Sequence, residues 1–451
     1  NQSDLNPRKF TNNLARINIA TDFGEGSKDS VRVHWLNNRW DFFVPADTTI
    51  TQTFGVSSNI RSRTEQLFGV QNILLYNVGE GFSTQLSTLV ETHKINNAFR
   101  YKTLINPSAI PFNTTVQEFR LEGTFDVRFQ SQSFMSTIGM QISERDEKHL
   151  LEKIEGVTQF IQFFQDDRAK QESRLDNTAL RTTLRTNLLA LFSSNDKAVF
   201  DGSASVLRYD TPDSLNTDDR DELLINLSLK ETHHFSRVFE GAVTAEATLA
   251  HSVYLFKDKS ANNDWNRIFR LAPELVYHPT SAFTMYNAFE VLANYTVFDF
   301  ETLIPSVKSY VYRQVAFLDS TSYDITPKVG CDVYVHVRIF ERGELKWGDF
   351  SERPQQYIQE VTFSPQVRYK YKEQWLFAVG FRSFAQKRFR YVVNERQFES
   401  TFLSAGPTTH IIFQFSSLSQ IEIVGWKEFQ YQSGEKIQDF SNVSMNVRYF
   451  F

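Results

Sequence analysis

Residues 116–129 read VQEFRLEGTFDVRF, and their period decides the fold. Phe119, Leu121, Gly123, Phe125, Val127 and Phe129 fall on one side of the alternation. Arg120, Glu122, Thr124, Asp126 and Arg128 fall on the other. Successive side chains of a strand point to opposite faces, so this is a strand with one greasy and one ionised face. The same division recurs at 239–253, 329–340 and 361–371. In the last of these Val361, Phe363, Val367 and Tyr369 oppose Thr362, Gln366, Arg368 and Lys370. Two stretches, 309–318 and 421–431, alternate less cleanly and are read as bulged.

These segments run to roughly 11–18 residues, against a mode of about 5–6 in soluble sheets. About 9–11 tilted residues cross a bilayer, and closure into a barrel removes the unpaired edges that such long strands would leave. Connections carry a second signal. Short ones such as PADT (45–48), NVGE (77–80), SQS (131–133), HPTS (278–281) and KEQ (372–374) are set against longer ones. The longer set includes 24–30, 96–115, 145–173, 210–219, 257–264, 301–308 and 342–354. Short periplasmic turns and longer extracellular loops are the habit of outer-membrane barrels. The reading is an all-β, antiparallel up-and-down transmembrane barrel of about 20 strands, range about 18–22. An even count puts both termini on the periplasmic side. Residues 1–13 precede the pattern as a periplasmic segment, and 14–451 form one barrel domain.

The final strand, 440–451, reads FSNVSMNVRYFF. Ser441, Val443, Met445, Val447, Tyr449 and Phe451 share its outward face; Asn442, Ser444, Asn446 and Arg448 face inward. A terminal aromatic strand ending in Val447, Tyr449 and Phe451 resembles the recognition signal of the Gram-negative outer-membrane β-barrel superfamily. That resemblance covers most of the chain as architecture and implies insertion by the barrel-assembly machinery. It implies a porin-like envelope protein in contact with outer-membrane lipid and lipopolysaccharide.

Composition narrows the classes. Among 451 residues, 48 Lys and Arg face 53 Asp and Glu. A net charge of -5 argues against a dedicated nucleic-acid binder, which carries a basic excess. No run of about 18 apolar residues offers a membrane-crossing helix. The one cysteine, Cys331, excludes a disulfide framework or a cysteine-rich metal site, and parity points it at lipid.

The polar face carries Arg120, Glu122, Asp126, Arg128, Lys230, Glu240, Glu246, Glu290, Asp332, Arg338, Arg368, Arg382 and Arg448. An Arg or Lys facing lipid at mid-bilayer costs about 2–4 kcal/mol, so these are assigned to the lumen. Both signs are present, which argues against a strongly ion-selective pore and for a cross-strand salt-bridge lattice. A barrel of about twenty strands encloses a wide hole, because about 16–18 strands already leave an aqueous channel. No plug of its own is visible before the strand pattern, so constriction falls to loops, to a protein partner, or to a part of the protein outside this chain. Loop 96–115 offers Phe99, Tyr101, Ile105, Ile110 and Phe112. In the second loop Leu150, Leu151, Ile154, Val157, Phe160, Ile161 and Phe164 recur at helical spacing; an extra strand at 158–164 competes with the helix.

No phosphate loop of the GxxxxGK[ST] kind and no HExxH occurs. His233 and His234 adjoin, which sends them to opposite faces, and they are read as a solvated turn. His234-Phe235-Ser236 matches the His-x-Ser of outer-membrane phospholipases only superficially. Asp213, Asp218, Asp219, Asp221 and Glu222 form an acidic loop, read as solvated. Trp375, Phe377, Phe381, Tyr369, Tyr371, Tyr449 and Phe451 read as an interfacial girdle. No catalytic residue, cofactor or metal is expected. The leading expectation is a passive solute conduit. The alternatives are a scaffold barrel in a multi-protein complex, or the barrel of a transporter without its plug.

Overall fold

The computed structural model describes residues 8–24, 26–104, 110, 112–304, 307–393, 395–416 and 419–449. They build nineteen antiparallel strands, two α-helices and a 3-10 turn at Ser260–Asn262. In chain order these are β1 (Arg8–Gly24), β2 (Ser27–Pro45), α1 (Thr48–Phe54), β3 (Ser58–Gly79), β4 (Phe82–Phe99), β5 (Thr114–Gln130), β6 (Phe134–Leu151) and α2 (Gln159–Ser173). Then come β7 (Asn177–Leu191), β8 (Asp196–Asp210), β9 (Arg220–Ser236), β10 (Phe239–Tyr254), β11 (Asp264–Thr280) and β12 (Phe283–Phe298). The last are β13 (Tyr310–Asp324), β14 (Val329–Lys346), β15 (Ser351–Tyr371), β16 (Trp375–Val392), β17 (Glu395–Gln414), β18 (Gln420–Gln432) and β19 (Glu435–Arg448).

The chain divides into two compact units. The first comprises the described residues of Asn1–Asn187, Ser203–Leu224 and His251–Asn263; the second comprises those of Leu188–Gly202, Ile225–Ala250 and Asp264–Phe451. In the first, β1 to β6 pair each with the next. In the second, β11 to β19 do the same. Consecutive pairing follows from the short connections, since antiparallel neighbours need only a turn between them.

Several boundaries differ from the sequence reading. The pattern starts at Arg8, not Leu14, because polar Asn12, Asn13 and Asn18 sit in a strand whose ladder with β2 supplies the hydrogen bonds. The alternation of connection lengths is misassigned near the N-terminus. Gly24 pairs with Ser27, and Gly24 at φ 83° and Gly26 at φ 79° are left-handed, so no long loop lies there. The connection after β2 is the longer one and holds α1. A single 22-residue β3 follows, so 45–48 and 77–80 cannot both be turns at one end. The longer-connection end also holds two tight hairpins, at Val392–Glu395 and Gln432–Glu435. In the second, Ser433 (φ 49°) and Gly434 (φ 91°) supply the two left-handed residues that a type I′ turn requires. The connection expected over 342–354 shrinks to the residues between Lys346 and Ser351. Nineteen described strands are odd in number, so the even count that would bring both chain ends to one side is not what they show.

The expected loop 96–115 shortens because β4 continues to Phe99 and β5 begins at Thr114. In the second loop β6 continues through Leu151 and the helix runs later than its apolar spacing suggested. Thr158 fixes its start by accepting from the Ile161 amide, and no strand forms at 158–164. β13 holds an unbroken register with both neighbours, whereas β18 does carry an irregularity at Gln430/Tyr431.

The ion-paired face and the apolar face

Register sorts β1 to β6, and separately β11 to β19, into two faces. In the first unit Leu121 pairs with Val90 and Glu144, while Glu122 pairs with Leu89 and Ser143. The face carrying Leu121, Phe125 and Ile142 leaves large hydrophobics bare. Ile138 is 60% exposed, and in the second unit Val379, Met445 and Val443 reach 63%, 67% and 74%. Apolar surface on this scale marks a side that meets a membrane or another protein.

The opposite face carries most of the charges, and they are matched within and across strands. Asp126 is 2% exposed and accepts from Arg185 Nη2 at 2.7 and 2.8 Å. Gly139, its register partner, leaves room for that carboxylate, since a Cβ there would lie 2.0 Å from Asp126 Oδ1. Arg120 meets Glu122 at 2.6 Å, and Arg128 donates to Gln85 at 3.0 Å.

In the second unit one chain of bonds crosses four strands. Arg270 donates to Glu246 at 3.0 Å and to Glu290 at 2.7 Å; Gln314 donates to Glu290 at 2.6 Å, and Tyr312 to Gln314 at 2.5 Å. Lys230 pairs with Glu274 at 3.0 Å, and His234 with Glu240 at 3.0 Å. Arg338 donates to Glu360 at 2.8 Å. Arg368 reaches Asp324 at 3.0 Å and Asp332 at 3.1 Å. Arg382 lies 3.7 Å from Glu428, which also accepts from Ser404. Arg448 shares this parity through its partner Gln420. Each exposed pair contributes about 0–1 kcal/mol, so the network stiffens the sheet more than it stabilises it. It also leaves little unbalanced charge of one sign.

Within each unit the charged residues picked from sequence fall on its ion-paired face: Arg120, Glu122, Asp126 and Arg128 in the first, and Lys230, Glu240, Glu246, Glu290, Asp332, Arg338, Arg368, Arg382 and Arg448 in the second. The premise that charge belongs only there fails: Arg267, Arg313, Glu341, Lys387 and Arg396 lie on the apolar face by register, towards the longer connections. Aromatic flanks such as Trp265 and Tyr391 were the available sequence signal. His233 and His234 lie in β9 rather than in a turn; His233 pairs with Asp196 at 2.6 Å. The acidic stretch is internally matched. Thr211 donates to Asp219 at 2.5 Å, Lys259 pairs with Asp218, and Arg208 lies 3.7 Å from Asp221.

Aromatic rings line the tight-turn end of the apolar face. Phe82, Phe129 and Phe134 touch in sequence at 4.6 and 6.1 Å. In the second unit Phe239, Tyr277, Phe283 and Tyr323 continue at 6.3, 6.2 and 5.9 Å. Trp375 stacks on Phe413 at 4.2 Å, and Phe415 on Tyr449 at 5.8 Å. Val447 is 53% exposed on the same face as Tyr449; Phe451 lies outside the described residues.

The loop candidates form two packed patches. Phe54 of α1 meets Tyr101 at 5.2 Å, and Asn59 donates to the Tyr101 carbonyl while accepting from its amide. Asn113 accepts from the Phe99 amide, next to Phe112. Ile105 lies outside the described residues. Lys102 is held below the ordinary lysine pKa by burial, opposed by Glu152. On α2, Phe164 contacts exposed Phe160 at 5.2 Å and exposed Phe163 at 5.7 Å. Leu151 ends the strand on which α2 packs.

No protein-family model matches the chain, and no curated protein does. Solved structures do. A structure titled "Copper transporter OprC" is 8% identical with a TM-score of 0.50, covering 94% of this chain and 66% of its own. FpvA of P. aeruginosa, bound to a ferric pyoverdine, is 10% identical with a TM-score of 0.50, covering 99% and 66%. The chain thus spans about two thirds of the length of these proteins. These neighbours are Gram-negative outer-membrane β-barrel proteins, and the likeness is one of fold.

Proposed function

We propose that this chain forms the membrane-spanning wall of an outer-membrane uptake transporter in a Gram-negative envelope. The apolar face meets lipid and the ion-paired face lines the conduit. The observation that carries the reading is the division of faces: bare Ile, Val, Phe and Met on one, cross-strand ion pairs on the other. A transporter suits the wall better than a free porin does. A closed barrel of about this strand number would enclose a hole at least as wide as that of channels with about 16–18 strands, and the transport proteins of like fold are half as long again. In this reading the lumen charges Arg120, Glu122, Asp126, Arg128, Lys230, Glu240, Glu246, Glu290, Asp332, Arg338, Arg368, Arg382 and Arg448 set no single-sign filter. Selection then falls to whatever occupies the lumen, with Phe99, Tyr101 and Phe112 and the α2 aromatics at its mouth. Val447, Tyr449 and Phe451 serve as the assembly signal.

Planar-bilayer recordings on the full polypeptide test this. A transporter gives no steady current until mild denaturant loosens the occluding element, after which large conductances open. A steady current from the start establishes a passive porin instead. Silence under both conditions, with subunits co-purifying, establishes a scaffold, which the exposed Phe160 and Phe163 would suit.

A further inference from the structure

The apolar stripe of β11 is interrupted by an arginine near its end. Its outward residues run Leu275, Leu271, Phe269, Arg267 and Trp265 towards the longer connections. The Arg267 guanidinium lies between two indoles, 4.8 Å from the Trp265 ring and 4.5 Å from that of Trp347. Tyr295, its register partner, meets Trp347 at 5.7 Å. Arg313 stands on the same face 5.8 Å from the Tyr295 ring and pairs with Glu352. Arg267 Nη1 is enclosed and no hydrogen-bond acceptor meets it. The carboxylate whose field reaches Arg267 is Asp299, in the connection after β12.

Directly beside this cluster, on the tight-turn side, the same face is hollowed. Small Ala245, Ala247 and Ala293 floor a groove walled by Leu227, Leu271 and Val291. The ladder places Ala293 opposite Phe269, one row from the Arg267–Tyr295 pair. An apolar trough one row from a guanidinium set between indoles matches a ligand with a hydrocarbon tail and an anionic head. Guanidinium binds phosphate in bidentate fashion and is weakly hydrated, so it does this at a lipid boundary better than an ammonium. The first unit repeats the layout more weakly. The row Gln66, Lys94, Gln117, Lys148 lies next to Phe68 and Phe119 on its apolar face.

We propose that Arg267, Trp265, Trp347 and Arg313 bind a phosphate of an outer-leaflet glycolipid, with one acyl chain in the Ala245–Ala247–Ala293 groove. The assignment rests on the apolar face being the lipid face. The test uses the full polypeptide in nanodiscs, titrated with lipopolysaccharide, with the same lipopolysaccharide after enzymatic dephosphorylation, and with inorganic phosphate. Tryptophan fluorescence and native mass spectrometry follow binding. The phosphorylated glycolipid binds, and Arg267→Gln weakens it by about tenfold, a difference of about 1.4 kcal/mol. Ala245→Leu fills the groove and weakens it too, without touching the charges. Heat-modifiable gel mobility verifies that both variants fold. Equal binding after dephosphorylation, or an unaltered Arg267→Gln, overturns the site. Saturation by inorganic phosphate alone, unaffected by Ala245→Leu, overturns the lipid in favour of a free anion. Failure of the chain to stay in membranes after alkaline extraction would sink the membrane reading itself, and that result does not depend on Arg267.

Discussion

The two ends of the apolar face are built differently. At the tight-turn end, Phe82, Phe129 and Phe134, and likewise Phe239, Tyr277, Phe283 and Tyr323, form rows of rings in contact. At the longer-connection end the rings are interleaved with charge, as in Trp265–Arg267–Trp347 and in Arg396 stacked 3.7 Å from the Tyr357 ring. A ring tolerates a boundary because its body is apolar and its rim polar. An arginine tolerates it only within reach of headgroups or water, since its penalty depends on depth. In the proposed reading, with the apolar face against lipid, the contrast implies that the two boundaries meet different headgroup chemistry.

The strongest way to break that comparison is to move the charge. Leu271→Arg, four residues along the same face from Arg267, should destabilise the folded sheet by about 2–4 kcal/mol, whereas Arg267→Leu should change stability by about 0–1. Urea titration in liposomes measures both, and similar costs would mean that this face does not cross a bilayer. Next comes the opposite face. Asp126→Ala leaves Arg185 without its carboxylate and should cost about 1.5–3 kcal/mol, read in the same titration. Trp375→Ala removes stacking on Phe377 and Phe413 and should cost about 0.5–1.5 kcal/mol per ring pair beyond lost area. A change in hydrogen exchange confined to the tight-turn end of β15–β17 would sharpen the girdle assignment.

The smallest effect belongs to α1. Asp47 caps it, and the Thr49 hydroxyl and the Ile50 amide hold its carboxyl below the ordinary value. A depressed folded pKa means that the cap's contribution is whole above the ordinary carboxylate pKa and fades as pH falls through the folded value. Asp47→Ala should therefore speed amide exchange in Thr48–Phe54 at neutral pH and remove the acid dependence of that exchange. Unchanged exchange would show that packing of Ile50 and Phe54 alone holds the helix.

Much of the wall was legible because side-chain parity is local. Arg120 and Asp126 in the first unit, and Asp332 and Arg368 in the second, landed on one face of their unit from spacing alone, and register with neighbouring strands kept them there. The partners were not legible. Nothing in the order of residues ties Asp126 to Arg185, 59 positions on, or Glu290 to Arg270 and Gln314 on separate strands. The connections misled because length does not reveal conformation. Gly24 pairs with Ser27 where a loop was expected, while PADT opens onto a helix. Arg267 was missed for a similar reason: parity put it among apolar residues, and only Trp347, brought over by the β14–β15 connection, shows how it is accommodated.

Sequence by itself determined the two-faced strands, their length and the sorting of oil from charge, because a period of two needs no knowledge of neighbours. Tertiary structure decided which charges meet, where each turn closes and where the apolar stripe gives way to arginine. Those depend on register between strands, and register is fixed by the whole ladder of hydrogen bonds rather than by any one segment.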